Sequence, residues 1–222
     1  MTISAVIFDM DGVLIDSEPL WQHAAIEYFN RLGLSVTAAD MQQMTGVPAD
    51  DVVRHLYRRY GAAPLSVEEA TEQYHQAATA LILQRQPLFP GVKPLLARLA
   101  QRNVKMAIAS ASPLYLLESI TQKCGIRHYF SAIASATELH YNKPHPAVYL
   151  HAADLLGVEP HFAVGIEDSV TGMTAVKAAS MCCIVLPSAA EEHDPRWALA
   201  DYKCRSLEDI DEAFLDRLIQ HR

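Results

Sequence analysis

Ile3-Ser4-Ala5-Val6-Ile7-Phe8-Asp9-Met10-Asp11-Gly12 opens with a short, almost continuous apolar run and stops on two acids and a glycine. A run of that length without polar alternation predicts a strand buried on both faces. Four further runs resemble it, at residues 104–109, 132–134, 162–166 and 182–186. The segments between them carry helical spacing: Leu95, Leu96 and Leu99; Leu116, Leu117 and Ile120; Val148, Ala152, Leu155 and Leu156. From Gly172 to Ala179 the residues are mostly small, which allows close packing on a sheet. Strands alternating with helices predict an α/β fold, a Rossmann-like parallel sheet covered on both faces. In such sheets ligands bind beyond the carboxyl ends of the strands.

The stretch from Glu18 to Arg85 reads differently. Its apolar residues (Trp21, Ala25, Tyr28, Phe29; Val52, Val53, Leu56, Tyr57; Tyr74, Ala77, Leu81) fall only at helical intervals. Pro19 stands at its entry, and Pro87, Pro90 and Gly91 at its exit. The organisation expected is a core of residues 1–16 and 88–222, interrupted by a helical insert, 17–87, able to act as a movable lid.

The 222 residues are half apolar and carry 26 acids against 18 bases, a formal charge of −8. That balance argues against a general binder of nucleic acid or anionic membrane. No apolar run reaches the length of a membrane span, about 18 residues. The first residues lack a basic region and do not read as a signal peptide. Cys124, Cys182, Cys183 and Cys204 form no Cys-x-x-Cys pair and read as reduced thiols. These features point to a cytoplasmic enzyme or binding module, a monomer or weak dimer.

Chemistry-bearing residues follow the apolar runs. Asp9 and Asp11, two apart with Gly12 permitting a tight turn, suit a divalent cation or a division between nucleophile and acid–base group. A plain turn or helix cap uses the same residues. Ser110 stands ahead of Pro113, where a hydroxyl and free N–H groups make an anion site. Helix capping is the alternative, and the commoner role for Ser112. Lys143 lies in Asn142-Lys143-Pro144-His145-Pro146, where Pro144 fits a first helical turn and would hold the ammonium in place. Glu167 and Asp168 end an apolar run, a costly place for two acids unless they are paired or bind metal. An N-cap at Asp168 or Ser169 is the alternative there.

Together these groups say more than each alone. Asp9, Asp11, Glu167 and Asp168 outweigh Lys143 by three negative charges. A divalent cation reduces the excess to one, or to none with Asp11 protonated, and a phosphate dianion can then enter. Hard carboxylate oxygens favour Mg²⁺ over softer ions.

Residues 8–18 (Phe8-Asp9-Met10-Asp11-Gly12-Val13-Leu14-Ile15-Asp16-Ser17-Glu18), 109–113, Lys143-Pro144 and 165–172 resemble, in order, the four motifs of the haloacid dehalogenase superfamily. The resemblance covers essentially the whole chain and is nearest to the β-phosphoglucomutase-like branch. Within that branch, Asp16 to Trp21 and Ser110 to Leu114 are most similar to the phosphatases of 2-deoxyglucose 6-phosphate and hexitol phosphates. It implies a Mg²⁺-dependent phosphatase of small sugar phosphates with a helical cap. Asp9 would be the nucleophile and Asp11 the general acid and base. Mg²⁺ would be held by Asp9, Asp168 and the main-chain carbonyl of Asp11, with Glu167 acting directly or through water. Ser110, the N–H of Ala111 and Lys143 would bind the phosphoryl oxygens. Glu18, Trp21, Gly46, Val47 and Ser112 are the residues on which choice of leaving group would fall.

Other reactions on this scaffold leave marks. Asp11 argues against dehalogenation, which needs no leaving-group acid. No lysine lies between Glu18 and Arg85, so a Schiff-base phosphonatase is excluded. The mutases carry a histidine where this chain has Trp21, and a Lys-Gly-Val-Ser-Arg loop where it has Thr45-Gly46-Val47-Pro48-Ala49. That loop has no cation for a second phosphate, so hydrolysis is favoured over a β-phosphoglucomutase-type reaction. It also lacks the arginine that the deoxysugar phosphatases carry near Pro48, which leaves the leaving group open. Arg54, Arg58 and Arg59 are nearby cations whose spacing fits a solvated helix face. A non-catalytic phosphosugar-binding or regulatory protein is the reading from another class, and one expected to have lost Asp11 or a metal ligand.

Overall fold

The computed structural model describes residues 3–44 and 47–220. Gly46, one of the specificity positions above, lies outside the described residues. The opening run forms β1 (Ala5–Phe8), buried at every position. It lies in a parallel sheet with β2 (Lys105–Ser110), β3 (Ala132–Ser135), β4 (Ala163–Glu167), β5 (Cys182–Val185) and β6 (Tyr202–Lys203), in the order β3-β2-β1-β4-β5-β6. The helices along the chain are α1 (Glu18–Arg31), α2 (Ala38–Gln42), α3 (Ala49–Tyr60), α4 (Val67–Arg85), α5 (Val92–Gln101), α6 (Leu114–Lys123), α7 (Ala147–Leu156), α8 (Val170–Ala178) and α9 (Glu212–Gln220).

Chain order reverses between β1 and β4, so the switch point of this sheet lies where those two strands end. Three strands, β2, β3 and β4, run one residue further than the apolar pattern indicates. Ser110 pairs with Ser135 and Glu167 with Val185, so Ser110, Ser135 and Glu167 are each the last of their strands rather than the first beyond them. The ladder hydrogen bonds are indifferent to side-chain polarity, which is why the apolar run ends early.

Ala5 and Ile7 share one buried cluster with Tyr149 and Ala152 of α7 and with Met173 and Val176 of α8. On the same strand Phe8 meets Phe130 edge-on, with ring centroids 6.0 Å apart. The small residues of α8 allow the close approach read from the sequence. A Cβ placed on Gly165 would lie 2.5 Å from Val176 Cγ2, and one on Gly172 would lie 1.9 Å from the Glu167 carboxyl carbon. Leu155 departs from its expected place on the inner stripe of α7 and is 52% exposed. Tyr149 and Ala153 are buried, so the inner face is centred away from Leu155.

The chain divides into two compact units, 1–15 with 88–222, and 16–87. The second holds α1 to α4 around Ala25, Phe29, Val53, Leu56, Tyr74 and Ala78. Its buried Asp40 completes a capping box with Thr37, accepts from Tyr60 Oη at 2.8 Å and pairs with Arg59 at 2.7 Å. The hydrogen bonds from Thr37 and Tyr60 hold that carboxyl down at about 2. Arg54 pairs with Asp50 and Asp51, and Arg58 donates to the carbonyl of Arg54. All three arginines are therefore engaged within this unit. Among the described residues no helix is long and apolar enough to cross a membrane.

Candidate active site

β1 delivers Asp9 directly beside the end of β4, its N–H continuing the ladder to the carbonyl of Ile166 at 3.0 Å. Met10 turns into the core, and the next residues fold back: Leu14 N and Ile15 N both donate to Met10 O. Gly12 makes this turn possible. Its φ is +79°, and a Cβ there would lie 1.8 Å from Asp168 Oδ2, so only glycine lets the turn approach that acid.

Lys143 lies in the loop between β3 and α7, and its side chain is 8% exposed. Its Nζ donates to Asp9 Oδ1 at 2.7 Å, Glu167 Oε1 at 2.6 Å and Ala109 O at 3.0 Å. Three donors and three acceptors match. Pro144 does not occupy a first helical turn: α7 begins at Ala147, and the Lys143-Pro144 peptide bond is cis. The ammonium is held by its three acceptors instead.

Glu167 is fully buried. Besides Lys143 it accepts from Tyr149 Oη at 2.6 Å and from Ser169 Oγ at 3.2 Å. Ser169 is the N-cap of α8 and accepts from Gly172 N at 2.9 Å, so capping and support of Glu167 fall to one hydroxyl. Tyr149 was not singled out in the sequence, where it reads as one more apolar position of α7. Its ring lies 5.1 Å from Lys143 Nζ, a cation–π distance.

Asp9, Glu167 and Asp168 each offer a carboxylate oxygen, and the three atoms lie within 4.8 Å of one another. Burial pushes Asp9 up to about 7, with Glu167 and Asp11 adding to the rise and Lys143 opposing it. Asp168 is raised well above the ordinary carboxylate range by burial and by Asp9 and Glu167. Burial works against the charge of Lys143, but Asp9 and Glu167 more than offset it and raise its pKa. The acids thus outnumber the one ammonium among them, and a hard divalent cation fits the oxygen donors that remain.

Ser110, 1% exposed, accepts from Ser112 N at 3.0 Å, and Ala111 beside it is exposed. Ser112 does not cap α6. The N-cap is Pro113, which has no side-chain cap bond, and the Ser112 hydroxyl turns instead to Asp11 Oδ2 at 2.7 Å. Asp9, Asp11, Ser110, Ser112, Lys143, Glu167 and Asp168 all belong to the sheet unit. Glu18, Trp21 and Val47 belong to the helical unit. There Glu18 accepts from Gln22 Nε2 at 3.0 Å, Trp21 stands edge-on to Tyr74 at 5.5 Å, and Val47 is 40% exposed.

The sequence profile of haloacid dehalogenase-like hydrolases matches residues 6–186. Hexitol phosphatase B of Escherichia coli K12 is 42% identical over 209 residues, 94% of each chain. This chain belongs to the haloacid dehalogenase-like hydrolases. Fructose-1-phosphate phosphatase YqaB of the same organism is also similar, 28% identical over 80% of this chain and 93% of its own. Among solved structures, CbbY from Rhodobacter sphaeroides in complex with phosphate aligns with a TM-score of 0.82 at 28% identity, over 96% of this chain and 99% of its own. The six-stranded order and the acids at the ends of β1 and β4 are thus set in a hydrolase fold of that family.

Proposed function

We propose that this phosphoric monoester hydrolase acts on small phosphorylated sugars and sugar alcohols, with Mg²⁺, through a phosphorylated Asp9. The observation that carries the reading is the placement of Asp9. Its carboxylate is held by Lys143 and stands among Glu167 and Asp168 at the switch point of the sheet. The substrate class is supported by the relatives, whose names specify hexitol and fructose-1-phosphate phosphatases.

Asp9 and Asp168, with the main-chain carbonyl of Asp11, would hold the cation. Glu167, already engaged by Lys143, Tyr149 and Ser169, would act directly or through water. Bound there, Mg²⁺ offsets the excess negative charge and polarises the phosphoryl oxygens. Asp9 attacks phosphorus in line with the leaving alcohol. Asp11 gives its proton to the departing oxygen and later takes one from the attacking water, a role typically worth ~10²–10⁴-fold. Ser110 and the N–H of Ala111 bind the transferring oxygens as charge builds on them, and Lys143 joins them with the N–H that it gives to Asp9 before Asp9 attacks. The helical insert, 17–87, selects the leaving group as a cap, with Glu18, Trp21 and Val47 as its specificity residues. Four free, buried cysteines accord with a reducing, cytoplasmic setting.

Purified protein should release inorganic phosphate from hexitol and hexose phosphates in Mg²⁺ buffer, lose that activity in EDTA and regain it with Mg²⁺. Asp168→Asn should raise the Mg²⁺ concentration for half-maximal rate at least about 10–100-fold, a loss typical even of outer-shell partners. An unchanged Mg²⁺ requirement would remove Asp168 from the ligand set. Failure to turn over any sugar phosphate would leave a binding protein as the better reading.

A further inference from the structure

Both main-chain polar groups of Ser112 are held by buried serines at strand ends. Its N–H donates to Ser110 Oγ at 3.0 Å, and its carbonyl accepts from Ser135 Oγ at 2.7 Å. Ser110 and Ser135 are register partners in β2 and β3, each 1% exposed. Ser135 is itself tied down, accepting from Thr137 N at 3.2 Å and lying 2.7 Å from Thr137 Oγ1. Two adjacent strands therefore fix the backbone of Ser112, and the hydroxyl so placed meets Asp11 Oδ2 at 2.7 Å. That hydroxyl is not spent on α6, whose N-cap is Pro113.

We infer that Ser112 is a positioning residue for the acid–base step: it holds the Asp11 carboxyl at the angle from which a proton reaches the leaving oxygen. The inference rests on the phosphoenzyme reading above. In the first half-reaction a bond forms between an Asp9 oxygen and phosphorus. The bond from phosphorus to the leaving oxygen breaks with its electron pair, and the proton of Asp11 goes to that oxygen. In the second half-reaction water attacks phosphorus, Asp11 takes its proton, and the Asp9 carboxylate departs. Asp11 thus alternates between protonated and ionised forms. The Ser112 hydroxyl donates to Oδ2 in either form, which leaves the other carboxyl oxygen to carry the proton to the leaving oxygen and later to take one from water, so one partner serves both halves without moving. Ser112 accordingly acts on the reaction through Asp11 and not as a cap.

The test compares kcat/KM of wild type and Ser112→Ala over substituted phenyl phosphates, from the nitrophenyl ester to the unsubstituted one. This ratio reports the half-reaction ending in departure of the alcohol. Nitrophenolate leaves without a proton, so its ester should lose less than about threefold. The loss should grow with leaving-group basicity to on the order of 10–100-fold for the phenyl ester, the scale of a misplaced acid. Ser112→Thr, which keeps the hydroxyl, should restore the shallow wild-type dependence. A uniform loss across the series would overturn the inference, because damage to the fold or to phosphate binding acts on all esters alike. So would a series with no loss at all. Asp9→Asn is assayed beside them. If it retains wild-type turnover, the phosphoenzyme reading fails and takes this inference with it; if it is inactive, a uniform Ser112→Ala series overturns the positioning role alone.

Discussion

Asp9→Asn should lower turnover on the order of 10⁴-fold or more, while making the metal-free protein more stable at neutral pH. An amide has no anionic oxygen to attack phosphorus, and nothing else described at the end of β1 stands where Asp9 does. The stability change follows from the charge Asp9 carries. Its carboxyl is pushed by burial from 3.8 to about 7. The native state therefore holds this proton more tightly than the unfolded chain does. Stability of the metal-free protein should fall as pH rises from about 3.8 to about 7, and the penalty should be complete above that. Thermal melts in EDTA at pH 5 and pH 8 measure it: wild type should melt lower at pH 8, and Asp9→Asn should narrow the gap. A variant that lost activity and stability together would instead mark Asp9 as a structural residue.

Lys143→Met should cost both function and fold. Its ammonium separates Asp9 from Glu167, and without it two buried acids face each other with no cation between them. Breaking a buried pair from one side costs about 3–5 kcal/mol, and loss of a charged donor to the phosphoryl oxygens about 10²–10³-fold in rate. The two effects separate in a double variant. Lys143→Met with Glu167→Gln removes a charge of each sign, so denaturant unfolding should recover part of the lost stability while turnover stays low. Simple addition of the two single destabilisations would contradict the placement of Lys143 on Glu167.

The core strands were legible because burial on both faces writes itself as consecutive apolar residues. β6 was not: Tyr202–Lys203 is two residues long at the sheet edge, one of them exposed, and leaves no pattern. The acids and Ser110 were legible because they fall at or just beyond strand ends, and Lys143, in the loop between β3 and α7, because the order of the family's motifs includes it. The groups that hold them were hidden by their own ordinariness. Tyr149 looks like core, and only its hydroxyl, 2.6 Å from Glu167, sets it apart. Ser135 is a single serine after three residues of strand, and its grip on the Ser112 carbonyl depends on a register between β2 and β3 that spacing does not encode. Ser112 itself is visible, as a helix cap by its place before a proline and as a specificity residue by the family resemblance, but its bond to Asp11 is written in neither pattern. Pro144 was misplaced for a similar reason: proline suits a first helical turn, yet the helix starts three residues later.

The account rests on Asp9 as the group that takes up the phosphoryl. Asp11→Asn, lacking the base for the second half-reaction, should accumulate the phosphorylated form when mixed with Mg²⁺ and p-nitrophenyl phosphate, whose leaving group needs no acid. Acid quench, digestion and mass spectrometry should then find one phosphoryl group on the peptide containing Asp9, and at Asp9 within it. Release of nitrophenol with no phosphorylated peptide, or with the phosphoryl group on any other residue, would contradict it.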